Sequence, residues 1–200
     1  MKKIVLLFIA VTTIASSQLR VGLDASRKVE VSPSWGAEVE TAAAMLGMSL
    51  PGKKEKTADG LSVSIGYDFM LLSLVGIGAE LNMSGNSFDP DEELVTESAS
   101  GSLIINPSDP TNQIFVYSSL KLPFGVPFAR GVVRVGVAKP FADEYDPGLG
   151  YGFGLRIKAP LFPLGAEASY NIYNYKAEYD EEISLDIKET YMNISVTYSF

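Results

Sequence analysis

Residues 190–200 have the sequence Thr190-Tyr191-Met192-Asn193-Ile194-Ser195-Val196-Thr197-Tyr198-Ser199-Phe200. Apolar or aromatic side chains recur there at every second position, namely Met192, Ile194, Val196, Tyr198 and Phe200. The positions between them hold Tyr, Asn, Ser and Thr. Because successive side chains of a β-strand point to opposite faces of the sheet, this stretch is predicted to be a strand with one apolar and one polar face.

Seven further segments alternate in the same way, and they cover residues 35–45, 61–69, 75–83, 114–122, 129–137, 149–159 and 164–172. In each of them one face is apolar, and the other is rich in glycine, polar or charged residues. The alanine run at 42–44 in the first segment also favours a helix. After the last segment, Tyr173 and Tyr175 suggest a change of phase, which predicts a β-bulge. The alternation as a whole predicts eight amphipathic strands.

The links between the predicted strands alternate in length. The long links cover residues 47–60, 84–112, 139–147 and 179–186, and the short ones cover 71–74, 123–127 and 160–163. Consecutive strands of an up-and-down sheet run in opposite directions, so their links fall alternately at its two ends. All long links should therefore lie at one end, the loop end. The tight turns and both chain termini should lie at the other, the turn end.

The composition excludes several kinds of chemistry. The 200 residues include no Cys and no His, which removes disulfides, thiolate metal sites, Cys nucleophiles and the commonest general base. The formal net charge of −8 argues against nucleic-acid binding, which depends on surplus Lys and Arg. Acidic groups at 89–93, 143–146 and 180–182 lack the spacing of a calcium loop and are interpreted as solvated loop tips. We expect no enzymatic activity, no cofactor and no metal site.

The first residues are typical of an export signal. Lys2 and Lys3 precede an apolar run over residues 4–15, and small residues follow at Ala15, Ser16 and Ser17. We predict a signal peptide over residues 1–17, cleaved after Ser17 and exported by the bacterial Sec route. Residues 18–33 are left open between an N-terminal periplasmic segment and a short extra strand. Residues 34–200 are predicted to form one domain.

Eight amphipathic strands can span a membrane only as a closed barrel, because a free sheet edge would leave backbone groups unpaired in lipid. The apolar faces must then point outward to lipid and the polar faces inward. Aromatic residues are expected to ring both interfaces. At the turn end these are Trp35, Phe69, Phe124, Phe128, Phe162, Tyr198 and Phe200, and at the loop end they are Tyr151, Tyr173, Tyr175 and Tyr191.

This combination resembles the OmpA-type and OmpX-type membrane domain of bacterial outer-membrane proteins. The resemblance implies an eight-stranded antiparallel up-and-down transmembrane β-barrel in the bacterial outer membrane, in contact with outer-membrane lipid and lipopolysaccharide. In that family, alternate apolar or aromatic residues before a terminal Phe resemble the signal read by the barrel-assembly machinery. The matching residues here are Ile194, Val196, Tyr198 and Phe200. A monomer is expected.

The predicted inward face collects ten charged side chains. They are the acids Glu38, Glu40, Asp68, Glu80 and Glu167 and the bases Lys121, Arg130, Arg134, Arg156 and Lys158. Eight strands enclose an interior that side chains can fill. Because isolated charges are costly there and paired charges are tolerated, the even balance predicts an ion-pair network that plugs the lumen. A gated ion path through the same residues is the alternative.

These inferences favour an outer-membrane barrel with a structural or surface-interaction role. A narrow porin-like channel would require continuous water through the lumen. An accessory barrel subunit of a secretion or assembly complex is compatible with the same pattern. A soluble lipocalin-like barrel would place its apolar face inward around a ligand, and the inward charges and Phe200 argue against it.

Overall fold

The computed structural model describes residues 16–50, 52–58, 62–71, 74–84, 94–98, 101–105, 112–159, 161–180 and 183–200. In chain order the elements are β1 (Ser16–Trp35), α1 (Ala37–Leu46), β2 (Lys54–Ala58), β3 (Ser62–Met70), β4 (Val75–Ser84), β5 (Leu94–Ser98), β6 (Gly101–Ile105), β7 (Gln113–Pro123), β8 (Ala129–Pro140), β9 (Tyr145–Lys158), β10 (Leu164–Asp180) and β11 (Ile183–Ser199). Most of the predicted signal peptide and the acidic group at 89–93 lie outside the described residues.

Eight of the strands form a closed antiparallel barrel, which confirms the predicted fold class. Their order is β1-β3-β4-β7-β8-β9-β10-β11, and β11 pairs back with β1. Leu19 of β1 lies opposite both Tyr67 of β3 and Tyr198 of β11. Strand β2 extends the sheet beside residues 27–31 of β1, and β5 pairs with β6 in a separate hairpin. Closure gives the backbone groups of the spanning strands partners within the barrel.

The prediction of a strand at 35–45 is wrong, because residues 37–46 form helix α1. Alanine is the strongest helix former, and Gly47 ends the helix in the left-handed conformation at φ 67°. The N–H of Met48 donates to the carbonyl oxygen of Ala43 at 2.8 Å. The number of barrel strands remains eight because β1 replaces the segment that was misassigned.

Strand β1 contains the residues 18–33 that the sequence left unassigned. Its inward positions are even-numbered up to Asp24 and odd-numbered from Arg27 onward. The change occurs at a bulge between Ala25 and Lys28, where Ser26 adopts a positive φ of 53°. A bulge inserts an extra residue and moves later side chains to the opposite face. This change of phase divides the alternation into two short runs.

The predicted inside and outside faces agree with the structure along the later strands. Leu155 and Ile194 are 45% and 65% exposed, whereas Arg156 and Ser195, the residues next to them in sequence, are 4% and 3% exposed. The exposed apolar side chains form a belt around the whole barrel, far larger than the apolar patches of soluble monomers. With a polar interior, this belt gives the chain the two faces of a transmembrane β-barrel. Among the described residues, no helix is both long and apolar enough to cross a membrane.

The aromatic residues follow the prediction at one interface only. Six of those predicted for the turn end are exposed there: Phe69, Phe124, Phe128, Phe162, Tyr198 and Phe200. Trp35 was wrongly placed, since it ends β1 at the loop end opposite Ile183. Tyr173, Tyr175 and Tyr191 are buried inside the barrel and form no loop-end girdle.

The predicted change of phase at Tyr173 and Tyr175 is also wrong. On β10, Asn171, Tyr173 and Tyr175 all face inward, so the alternation keeps the same phase through both tyrosines. The irregularity lies instead in the β9–β10 pairing, between Asn174 and Lys176. The links at 139–147 and 179–186 were predicted too long. Strand β8 ends at residue 140 and β9 begins at 145, and β10 ends at 180 and β11 begins at 183.

Two inward glycines make room for the largest interior side chains. A Cβ atom on Gly66 would lie 2.8 Å from the Arg20 guanidinium. One on Gly150 would lie 2.5 Å from the Phe115 ring and 2.7 Å from the Tyr173 ring. Contacts under 3.0 Å would force these groups to move, so the glycines allow arginine and aromatic side chains to cross the narrow lumen.

Candidate functional site

The barrel interior is a compact array of charged side chains. The buried acids are Asp24, Asp68, Glu80, Glu167 and Glu189, and the buried bases are Arg20, Arg27, Lys121, Arg134 and Arg156. All ten are at most 4% exposed. In the part of the chain that the structure describes, buried positive and negative charges are therefore equal in number. Such a balance is needed where charges are removed from water.

The structure brings together six of the ten side chains predicted for the lumen. They are Asp68, Glu80, Lys121, Arg134, Arg156 and Glu167. Glu38 and Glu40 were wrongly placed: both are exposed in the first turn of α1, outside the barrel wall. Arg130 and Lys158 keep their predicted inward phase but are exposed at the turn-end mouth of the lumen, where the strands end.

Four interior charges were not predicted: Arg20, Asp24, Arg27 and Glu189. The first three lie on β1, which the sequence left unassigned because of its bulge. Glu189 lies on β11 one residue before the stretch recognised as the last strand. Residues 19–23 alternate between apolar and other residues, and this short run was the available signal for Arg20.

The turn-end cluster consists of Arg20, Asp68, Glu80, Arg134, Arg156 and Glu167. Its centre is the Glu167 carboxylate, which accepts hydrogen bonds from Arg156 Nε at 2.6 Å and Arg20 Nη1 at 3.2 Å. Arg134 Nη2 approaches the same carboxylate at 2.7 Å. Three guanidinium groups from β1, β8 and β9 thus converge on one acid of β10.

The other two acids complete this cluster. Asp68 accepts hydrogen bonds from Arg156 Nη2 at 3.0 Å and from the Tyr117 hydroxyl at 2.6 Å. Glu80 pairs with Arg20. Three arginines therefore face three carboxylates, and arginine stays protonated under all physiological conditions. Removal of one member would leave its partner as an uncompensated buried charge.

The loop-end cluster consists of Asp24, Arg27 and Glu189. Arg27 Nη2 donates to Asp24 at 3.0 Å, and Arg27 Nε lies 3.2 Å from Glu189. Neutral donors also bind the two acids: Asn193 donates to Asp24 at 2.6 Å and Gln113 to Glu189 at 3.0 Å. One guanidinium thus serves two carboxylates, and amide groups together with the Tyr175 hydroxyl supply further hydrogen bonds.

Tyr191 connects the two clusters. Its hydroxyl donates to Glu80 at 3.3 Å, and its ring lies 4.7 Å below the Arg27 guanidinium carbon. The hydroxyls of Tyr173 and Tyr191 are 2.8 Å apart. The polar network therefore continues from the turn end of the lumen to its loop end.

An aromatic and aliphatic layer lies above the charges at the loop end. Its buried members include Val29, Val31, Phe115, Tyr145, Tyr173, Tyr175, Leu185 and Ile187. Phe115 and Tyr173 pack edge to face with ring centres 5.0 Å apart, and Tyr173 stacks on Tyr175 at 6.2 Å. The side chains filling the barrel are thus arranged in two tiers, with both charged clusters below and the apolar layer above them at the loop end.

A hollow of about 670 Å³ lies at the loop end of the outer wall. Val137 and Leu149 of the apolar belt line it together with the charged Glu30, Lys176 and Lys188. Lys176 lies 3.8 Å from Asp186 in an exposed pair. The hollow combines apolar side chains with charges of both signs at the edge of the membrane belt.

Comparison with known proteins gives likenesses of fold. No protein-family model and no curated protein matches the sequence. The fold is similar to the outer membrane protein OprG from Pseudomonas aeruginosa, at 11% identity over 94% of this chain and 96% of that one, with a TM-score of 0.49. It is similar to Ail of Yersinia pestis at 12% identity over 94% and 99%, with a TM-score of 0.41. It is also similar to the outer membrane protease OmpT from Escherichia coli at 11% identity over 94% and 97%, with a TM-score of 0.45.

Proposed function

We propose that this protein is a non-enzymatic outer-membrane barrel whose lumen is plugged by its own ion pairs and whose biological role lies in structure or surface interaction. The observation that carries the proposal is the convergence of Arg20, Arg134 and Arg156 on Glu167 across the lumen. Opening a water path there would separate several buried ion pairs at once. Each broken pair would leave an uncompensated charge at a cost of several kcal/mol.

The aromatic layer at the loop end supports the same proposal. Phe115, Tyr173 and Tyr175 are buried, and the ring of Tyr173 packs on both of the others above the charges. An ion crossing the barrel would have to pass this apolar tier after the charged one. Apolar constrictions oppose ion passage by excluding water.

The extracellular side supplies surface for interaction. Helix α1 exposes Met45 and Leu46 close to the acidic Glu38 and Glu40. The outer-wall hollow joins the apolar belt to charges of both signs, at the edge where a lipid or lipopolysaccharide headgroup would lie. We propose that the protein meets its partners through these surfaces, as a monomer.

Because the lumen is plugged, the barrel is expected to conduct no ions. The purified barrel, inserted into planar lipid bilayers, is expected to give no discrete conductance steps because its interior charges are paired and buried. Insertion is verified separately by the altered migration of an unheated sample on SDS gels, so that a lack of conductance is not mistaken for a lack of inserted protein. Regular steps from the unmodified protein would reject the plug in favour of the narrow-channel alternative.

We further propose that Ile194, Val196, Tyr198 and Phe200 form the signal for the barrel-assembly machinery. Ile194, Val196 and Tyr198 face outward on β11, next to the β1–β11 seam that closes the barrel, and the exposed Phe200 follows the last residue of this strand. The Phe200 ring packs edge to face on Tyr198 at 4.9 Å, and its N–H donates to the carbonyl oxygen of Ser17 at 2.9 Å. These side chains are accessible to an assembly factor before closure is complete.

Deletion of Phe200 is expected to lower the amount of barrel in the outer membrane severalfold, because it removes an aromatic group from the closing strand at the interface. The matched control is Ser195→Ala on the inward face of the same strand. Its hydroxyl makes one long hydrogen bond of 3.5 Å, to the Glu167 carbonyl oxygen. Membrane fractionation with immunoblotting measures both variants. Equal levels for the two would contradict the proposed signal.

A further inference from the structure

Lys121 is a buried charge left over after the arginines and acids of the turn-end cluster are paired. That cluster contains three arginines and three carboxylates, and Lys121 adds a fourth positive charge. Its ammonium donates to the side-chain oxygen of Gln18 at 2.5 Å, and Arg156 donates to the same neutral oxygen. Two cations thus share one amide acceptor.

The surroundings add positive charge at this end of the barrel. Arg130 and Arg156 lie directly opposite each other on β8 and β9, and like charges in such positions destabilise a sheet. Both also repel Lys121 electrostatically, whereas Asp68 and Glu167 attract it. The short links predicted at residues 71–74, 123–127 and 160–163 contain no acid. The turn-end mouth is therefore positively charged, whereas the surplus carboxylate of the interior belongs to the loop-end cluster.

Two buried donors beside Lys121 have no acceptor. The Ser119 hydroxyl and Arg134 Nε have no hydrogen-bond partner among the described residues, although both side chains are at most 3% exposed. Ser119 is the inward residue next to Lys121 on β7, and it lies opposite Arg134 on β8. Buried donors without acceptors are costly, so a negative group that reached these donors would be stabilised by them.

We infer that Lys121, Ser119 and Arg134 form a binding site for an oxyanion, a phosphate or carboxylate group that enters from the turn end, with Arg130 and Lys158 at its rim. The anion would accept hydrogen bonds from the three buried donors and balance the leftover charge of Lys121. In outer-membrane barrels the short turns face the periplasm, so the ligand would come from that compartment. It is either a free inorganic anion or an acidic group carried on a periplasmic polymer.

Calorimetric titration of the full-length barrel in detergent with inorganic phosphate tests the site. Phosphate is expected to bind in the millimolar range, whereas chloride at the same ionic strength is not expected to reproduce the signal. Lys121→Met retains the aliphatic stem but removes the charge, and it should weaken phosphate binding about tenfold, as expected for loss of a charge-assisted hydrogen bond. Lys176→Met, an exposed lysine at the loop end, is the matched control and should bind like the unmodified barrel.

A second variant keeps the test decisive if Lys121→Met does not fold. Ser119→Ala should weaken phosphate binding about fivefold through loss of one neutral donor. A short peptide with two carboxylates, titrated in parallel, distinguishes the sources: tighter binding than phosphate indicates a polymer-borne acid, and weaker binding a free anion. The inference is overturned if neither probe binds more tightly than chloride, or if phosphate binding is unchanged in Lys121→Met or Ser119→Ala.

Discussion

Replacement of Arg156 by leucine is expected to lower the free energy of unfolding by about 3–5 kcal/mol, the usual cost of removing one partner from a buried ion pair. Arg156 binds Glu167 through Nε at 2.6 Å and Asp68 through Nη2 at 3.0 Å. Leucine would leave both carboxylates short of a cation in the centre of the lumen. Water is then expected to enter, and the variant should show conductance that the unmodified barrel lacks.

Lys158→Leu is the matched control, because Lys158 has the same inward phase on β9 but is exposed at the mouth. An exposed surface substitution should change stability by no more than about 0.5 kcal/mol. Urea unfolding followed by tryptophan fluorescence or gel migration gives the stability, and planar bilayers give the conductance. If Arg156→Leu and Lys158→Leu were equally stable and neither conducted ions, the interior ion pairs would not be what stabilises the barrel and closes its lumen.

Leu155→Arg is expected to impair folding into lipid by about 2–4 kcal/mol, because it places a charge on the lipid-facing surface near mid-membrane. Leu155 lies opposite Ala168, in the middle of the outward run of β10, and its side chain is 45% exposed in the isolated barrel. Hydrocarbon offers no partner for a guanidinium at that depth. The yield of folded protein in vesicles, read from unheated gels, measures the effect.

Asn174→Arg provides the matched control for depth. Asn174 also faces outward but lies toward the loop end, at the outer-wall hollow. An arginine can reach the headgroup region there, so folding should be close to normal. If Leu155→Arg folded as well as Asn174→Arg, the outer surface would not be in contact with lipid, and a soluble barrel would become the better interpretation.

The alternation of side chains predicted the facing of seven strands because it is a local property of the pleated backbone. Leu155 and Arg156 are neighbours in sequence, yet one faces outward and the other inward, and no tertiary information is needed to assign them. The alternation of link lengths then predicted the antiparallel order, since consecutive strands must run in opposite directions. Both arguments depend on the chain alone.

The first strand could not be predicted in the same way. The bulge at Ser26 divides the alternation of β1 into two short runs of opposite phase, and neither stands out in the sequence. In the alanine-rich stretch of α1, apolar and other residues alternate by chance, and this alternation does not reflect a strand. Pairing with β3 and β11 selects β1 as the strand, because closure of the barrel requires a partner for both of those edges.

The identity of the ion pairs also depended on tertiary structure. The sequence placed Arg134, Arg156 and Glu167 on the inward face, but it contained no information that all three would meet one another and Arg20, which is 147 residues from Glu167. Which inward side chains share a level is set by the tilt and stagger of the closed strands. Facing is therefore decided residue by residue along the chain, whereas charge partners are decided by how the barrel closes.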